Sequence, residues 1–140
     1  MDYWLAAFIG VVLGASFLAI CARLSSRIIA AQGVIVLCAM LSIYIGAHLV
    51  SGDLTDVVFE VMVAGVFFGG ALLAMRRWLP AIGVAIFLHS LYDAFVGPHT
   101  GVADWYPPLC AGFDVIVGGG LIGILAHKER IERASQIAAY

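Results

Sequence analysis

Five runs of about twenty apolar residues, separated by short polar breaks, constrain this chain more than any other feature. They span residues 3–22, 28–50, 57–75, 79–97 and 107–127, and a polar tail follows at 128–140. In lipid such a run satisfies its backbone only as a helix or within a closed barrel. The alternating pattern of a barrel strand is absent. The expectation is therefore an all-α integral membrane bundle of five transmembrane helices, forming one domain over residues 1–140. Composition agrees, with 64% hydrophobic and 11% charged residues, against about half and about a quarter in soluble domains. The N-terminus MDYWLAAF carries Asp2 and lacks a basic region, so no cleavable signal peptide is expected.

The charges orient the bundle. All seven basic residues fall in three places: Arg23 and Arg27, Arg76 and Arg77, and Lys128, Arg130 and Arg133. With five spans these are the first loop, the third loop and the tail, all on one side. The positive-inside rule makes that side cytoplasmic, with the N-terminus out and the C-terminus in. The opposite side carries Asp2, Asp53, Asp56 and Asp104 and no Lys or Arg, the last three of these acids read as solvated loop charges. A bacterial inner membrane, with its periplasmic face on the acidic side, is the expected location. Short loops between the spans imply an up-down bundle of sequential neighbours.

Small residues pattern the helix faces. Gly10 and Gly14 are four apart, as are Gly65 and Gly69, and the last span contains Gly118-Gly119-Gly120 and Gly123. Such spacing suits close helix packing in lipid, within one chain or between copies of a homo-oligomer. Tyr3 and Trp4, Trp105 and Tyr106, and Trp78 suit interfacial belts. Cys21, Cys38 and Cys110 show no CxxC spacing and read as apolar fillers.

Against this background, the stretch from Phe87 to Val115 stands out. Ionisable groups inside apolar spans are costly unless they meet a partner, water or an ion. At about 1.5 Å per residue, His48, Glu60, His89, Asp93 and Asp114 all fall in the outer half of the bilayer. His99 follows in the outer loop, held near them by Gly97-Pro98 and Pro107-Pro108. His89 and Asp93 are i,i+4 on one helical face, as are Tyr44 and His48, and Cys110 and Asp114. With no basic residue nearby, Glu60, Asp93 and Asp114 must be protonated, bonded to histidine, or bound to a cation. Histidine and carboxylate around an open position is also the donor set of a catalytic Zn, Mn or Fe centre. His127 at the inner end reads as a partner of its helix C-terminus.

The pattern H-x-x-x-D, H, then W-Y-P-x-x-C-x-x-x-D, carried by His89, Asp93, His99, Trp105, Tyr106, Pro107, Cys110 and Asp114, resembles small bacterial polytopic membrane proteins of unknown function. The resemblance covers mainly the last two helices and implies no activity. In size and polar content the bundle is also similar to the sterol-isomerase-like membrane domain, in architecture only.

Three functional classes follow. The first is an intramembrane enzyme acting on a hydrophobic or amphiphilic substrate, a lipid or isoprenoid, by isomerisation, cyclisation or hydrolysis. There His89, Asp93, Asp114 and Glu60 are catalytic by acid-base chemistry. Tyr44, His48, Tyr92, Trp105 and Tyr106 contact substrate, and His89, Asp93, His99 and Asp114 are the ligands of any divalent metal. The second is a proton- or divalent-cation-linked transporter or binding protein, and the third an accessory subunit of a larger complex. The lipid bilayer is the expected partner and nucleic acid is not.

Overall fold

The computed structural model describes residues 2–51 and 54–138; the expectation for Asp53 lies outside them. Five α-helices account for most of the chain, and no strand is present among the described residues. They are α1 (Tyr3–Cys21), α2 (Ser26–Ser51), α3 (Leu54–Met75), α4 (Ala81–Phe95) and α5 (Tyr106–Ile137), with a single 3-10 turn at Gly97–His99. Four of the five, α1, α2, α3 and α5, are long and apolar enough to cross a membrane.

The fourth expected span, 79–97, contracts to the 15 residues of α4. That is about 22 Å of helix, short of the roughly 30 Å hydrocarbon core. Proline limits it: Pro80 stands at its N-cap, and Pro98 lies within the 3-10 turn that follows it. The fifth helix departs in the opposite sense. The expected polar tail is helical as far as Ile137, because residues such as Lys128, Glu129, Arg130 and Glu132 are good helix formers. Hydropathy reports where apolar residues end, not where helix ends. Likewise α3 begins at Leu54, so Asp56 belongs to its first turn rather than to a loop.

The packing order differs from a bundle of sequential neighbours. Helix α1 packs chiefly on α5, not on α2, and α5 also packs extensively on α4. Small residues explain the choice. A methyl group at Gly10 would overlap the Leu109 carbonyl, and one at Gly112 would overlap the Ala7 carbonyl. Residues 10, 14 and 18 of α1 meet progressively later residues of α5, so these two helices run parallel. On the other flank a methyl at Gly83 would lie 2.8 Å from both the Gly118 carbonyl oxygen and the Ile122 nitrogen. Helices α2 and α3 pair with each other and complete the bundle against α4 and α5.

Two carboxylates from the far part of α5 tie one end together. The Ser26 hydroxyl donates to Glu132 Oε1 at 2.6 Å, and the Leu79 amide donates to Glu129 Oε1 at 3.0 Å. Both acids therefore sit at helix starts, where the dipole favours negative charge. Arg27 and Arg133 line one cleft at this end with those acids, and Arg76 and Arg77 occupy the α3–α4 turn. Immediately inside lies an apolar core of Ile29, Leu37, Ile82, Ile86, Leu121 and Leu125, among others.

Large apolar side chains cover the outside, including Val50, Trp4, Val66 and Phe95, at 90%, 84%, 74% and 73% exposure. A water-soluble protein rarely exposes apolar surface on this scale, whereas a lipid-facing one must. The bundle is that of a membrane protein.

Candidate functional site

Helix α4 is buried along most of its length, with Phe87, Leu88, Leu91, Ala94 and Phe95 forming an exposed stripe at helical spacing. The opposite face carries Ile82, Ile86, His89 and Asp93, each fully buried. The i,i+4 spacing thus aims His89 and Asp93 inward, toward α5 and α2. Asp114 comes from α5 and Tyr44 from α2, and both are 0% exposed.

The four meet. His89 Nδ1 lies 2.9 Å from Asp114 Oδ2 and 3.4 Å from Asp93 Oδ2. The Tyr44 hydroxyl donates to Asp93 Oδ1 at 2.5 Å. Aromatic rings enclose the imidazole: Tyr92 stacks at 5.6 Å, Phe67 stands edge-on at 5.6 Å, and Tyr44 is tilted at 6.0 Å. Among the described residues, three buried side-chain polar atoms have no hydrogen-bond partner: His89 Nε2, Asp93 Oδ2 and Asp114 Oδ1. Each belongs to a different member of the trio. In native proteins buried polar atoms are nearly all satisfied, so three orphans together point to a missing partner.

Charge balance sharpens this. One imidazolium beside two carboxylates leaves a net negative charge in a low-dielectric interior, at a cost of several kcal/mol. Either of two additions restores neutrality. A proton on one carboxyl group does so when the histidine is cationic. A divalent cation does so when the histidine is neutral. The three residues could hold a metal ion, since each offers one ligand atom and these atoms lie within 4.8 Å of one another. Three protein ligands leave a coordination position open, as in catalytic rather than structural metal sites.

A second polar group adjoins the first. His48 Nε2 lies 3.6 Å from Glu60 Oε1, and His48 Nδ1 lies 3.6 Å from Asp56 Oδ2. The Tyr92 hydroxyl donates a short hydrogen bond to Glu60 Oε1. Tyr92 therefore bridges the two groups, with its hydroxyl on Glu60 and its ring on His89. Glu60, expected alongside His89, is buried but belongs to this neighbouring group and not to the trio. The side chain of Asp56 is 53% exposed, so the line of polar groups runs from the surface inward.

His99 was expected as a metal ligand and is not one of the group. In the 3-10 turn, residues three apart share a face. Gly97 and Thr100 take the buried face, fastened by the Thr100 hydroxyl bond to the Gly97 carbonyl at 2.7 Å. His99 is left exposed. Tyr106 is half-buried with its ring 5.9 Å from Tyr44, while Trp105, 41% exposed, stacks edge-on against Tyr106 at the rim. Sequence reasoning missed Phe67, which nothing but its place on α3 connects with His89.

A groove of about 560 Å³ opens between α1 and α4 over the start of α5. Its walls include Ala7, Val11, Ala94, Pro107 and Ala111, with Asp104 also lining it and Asp93 contributing to the wall. Sequence reasoning missed this too, because beyond Tyr3 the α1 side of its wall is the apolar pair Ala7 and Val11. The chain matches no family model, no curated protein and no solved structure.

Proposed function

We propose that this chain is an intramembrane enzyme whose His89–Asp93–Asp114 centre acts on a hydrophobic or amphiphilic substrate taken from the bilayer. The observation that carries this reading is the apolar groove meeting a buried, incompletely bonded acid–imidazole trio at Asp93. Lipid-soluble substrate and polar chemistry are thereby joined at one residue. With a divalent metal bound, the three side chains are its ligands, and the metal supplies Lewis-acid or water-activating chemistry. Without one, a neutral carboxyl group of the trio donates a proton and the imidazole–carboxylate pair accepts it back, the chemistry of isomerisation or cyclisation. Tyr44 orients Asp93 through its hydrogen bond, and the rings of Tyr92 and Phe67 exclude water from His89.

The apolar core beneath the trio favours this reading over transport. Ile86 lies about one turn from His89 toward the basic end, and Leu41 and Val117 lie about one turn below Tyr44 and Asp114, all buried. They offer an ion no polar step toward that end. The same reading places the basic end in the cytoplasm and the trio in the outer leaflet half, on the positive-inside argument. Reporter tags at the two termini should then signal from opposite faces; signals from the same face would overturn both the orientation and the crossing by α4.

The centre itself is tested by purifying the protein without chelators and measuring bound metals by plasma mass spectrometry. About one metal per chain in the wild type, lost in His89→Ala and in Asp93→Ala, is the result expected of a coordination centre. Metal absent from all three proteins assigns the trio to proton transfer. Metal retained in both variants removes the trio from the metal's ligands. Turnover is scored in liposomes made from total lipid extract. Conversion of a component by wild type but not by Asp93→Asn supports the enzyme, and no conversion by wild type refutes it.

A further inference from the structure

The groove beside Asp93 also limits what its occupant can carry as a headgroup. All seven Lys and Arg residues lie at the opposite end of the bundle, in the α1–α2 turn and the start of α2, the α3–α4 turn, and the far part of α5. The groove end contains Asp2, Asp56, Glu60, Asp93, Asp104 and Asp114 among the described residues, with histidine as its only basic side chain. His48 is beside Glu60 and Asp56, and His89 is bonded to Asp114. Neither lines the groove, nor does His99, exposed in the turn beside Pro98; the polar residues on its wall are Tyr3, exposed Asp104, and Asp93, whose side chain has no exposed surface.

A phosphate or carboxylate headgroup placed here meets acids and no countercharge, and leaving a charge unpaired in a low dielectric is costly. A headgroup that donates hydrogen bonds meets an exposed acceptor at the Asp104 carboxyl, with buried Asp93 on the same wall. The remaining wall is built of alanine, valine, proline and glycine, short side chains that leave width for an alkyl or prenyl chain. The two flanking helices, α1 and α4, are each joined to α5 by close glycine contacts, so the groove is held open by backbone packing.

We infer that the α1–α4 groove binds a long-chain amphiphile whose headgroup donates hydrogen bonds and carries no negative charge, a hydroxyl or an ammonium, presented to Asp104 on the wall that also contains buried Asp93. The inference rests on the enzymatic reading only in calling this ligand the substrate; the binding stands apart from any turnover. A second groove of about 400 Å³ between α3 and α4, lined by residues such as Val66, Phe67, Ala74 and Leu88, has no titratable group on its wall and serves as the internal control.

The test uses three photo-reactive probes with one diazirine-bearing alkyl chain and different heads: a hydroxyl, an ammonium and a phosphate monoester. They are cross-linked to the full-length protein in neutral-lipid nanodiscs, and labelled peptides are mapped. The hydroxyl or ammonium probe should label the α1 and α5 segments flanking the groove about tenfold more than the phosphate probe, about 1.4 kcal/mol of preference. The relative yields of those two heads decide which donor the site takes. Ala94→Trp, at an exposed groove residue, should abolish that labelling, and Ala74→Trp in the other groove should leave it unchanged. Val115→Trp provides a second plug if Ala94→Trp unfolds early in detergent. Equal labelling by the phosphate probe overturns the inference, as does labelling that survives both plugs. The same labelling in His89→Ala separates the two claims. Retained there without any wild-type turnover, it keeps the ligand class and discards the enzyme.

Discussion

His89→Ala is expected to lower the unfolding free energy by about 3–5 kcal/mol, the cost of removing one partner from a buried charged pair. The imidazole bonds Asp114 at 2.9 Å and lies 3.4 Å from Asp93. Its loss leaves two carboxyl groups facing each other with no exposed surface and with three aromatic rings around the vacated space. The coupling makes a sharper prediction than the single variant. In His89→Ala/Asp114→Ala both partners of the closest contact are gone, so the double variant should be less destabilised than the sum of the two singles by about 1–3 kcal/mol. Reversible unfolding in mixed detergent micelles measures all four proteins. Additive effects would falsify the trio as a bonded unit and leave His89 as a packing residue alone.

The second large effect is steric. Gly118→Ala should destabilise the bundle by about 1–3 kcal/mol, the range for overpacking, and toward its upper end because the obstacle is backbone. The added methyl would lie 2.5 Å from the Phe87 amide nitrogen and 2.7 Å from its Cα, on the helix that carries His89 and Asp93. Relief requires α4 to move off α5, which also lengthens the His89–Asp114 contact. Metal content or turnover should therefore fall along with stability. Gly10→Ala should act similarly on the α1 side, where the Leu109 carbonyl leaves no room. Gly65→Ala, Gly69→Ala and Gly119→Ala meet nothing within 4 Å and should change stability by no more than about 0.5 kcal/mol. A Gly118→Ala protein as stable as Gly119→Ala would show that α4 and α5 do not approach this closely.

These glycine predictions could not have been made from spacing. Gly10/Gly14 and Gly65/Gly69 have the same four-residue interval, yet only the first pair is packed, and it is packed inside the chain against α5. The triple glycine divides three ways: Gly118 meets α4, Gly120 meets Leu18 of α1, and Gly119 meets nothing. An interval records that two residues share a helix face, whereas the partner of that face depends on where the other helices stand.

The site divides along the same line. His89 and Asp93 could be paired from sequence because i,i+4 spacing is local geometry, and Asp114 was recognisable as an ionisable group too costly to be incidental in an apolar helix. His99 could not be placed, since one 3-10 turn decides which of its residues faces inward. Glu60 was legible as buried but not as the partner of Tyr92, 32 residues away.

What the sequence by itself determined is therefore what hydropathy and helical periodicity encode. Five apolar helices, the segregation of every Lys and Arg to one end, and the inward His89–Asp93 face all follow from composition along the chain. The tertiary structure alone decided that α1 crosses to α5 rather than to its neighbour α2, that the trio closes with Asp114 and Tyr44, and that a groove reaches Asp93. The physical reason is the nature of packing in lipid. Apolar surface is as comfortable against acyl chains as against another helix, so the choice of neighbour falls to close backbone contacts and buried polar bonds. Both are set by residues far apart in sequence.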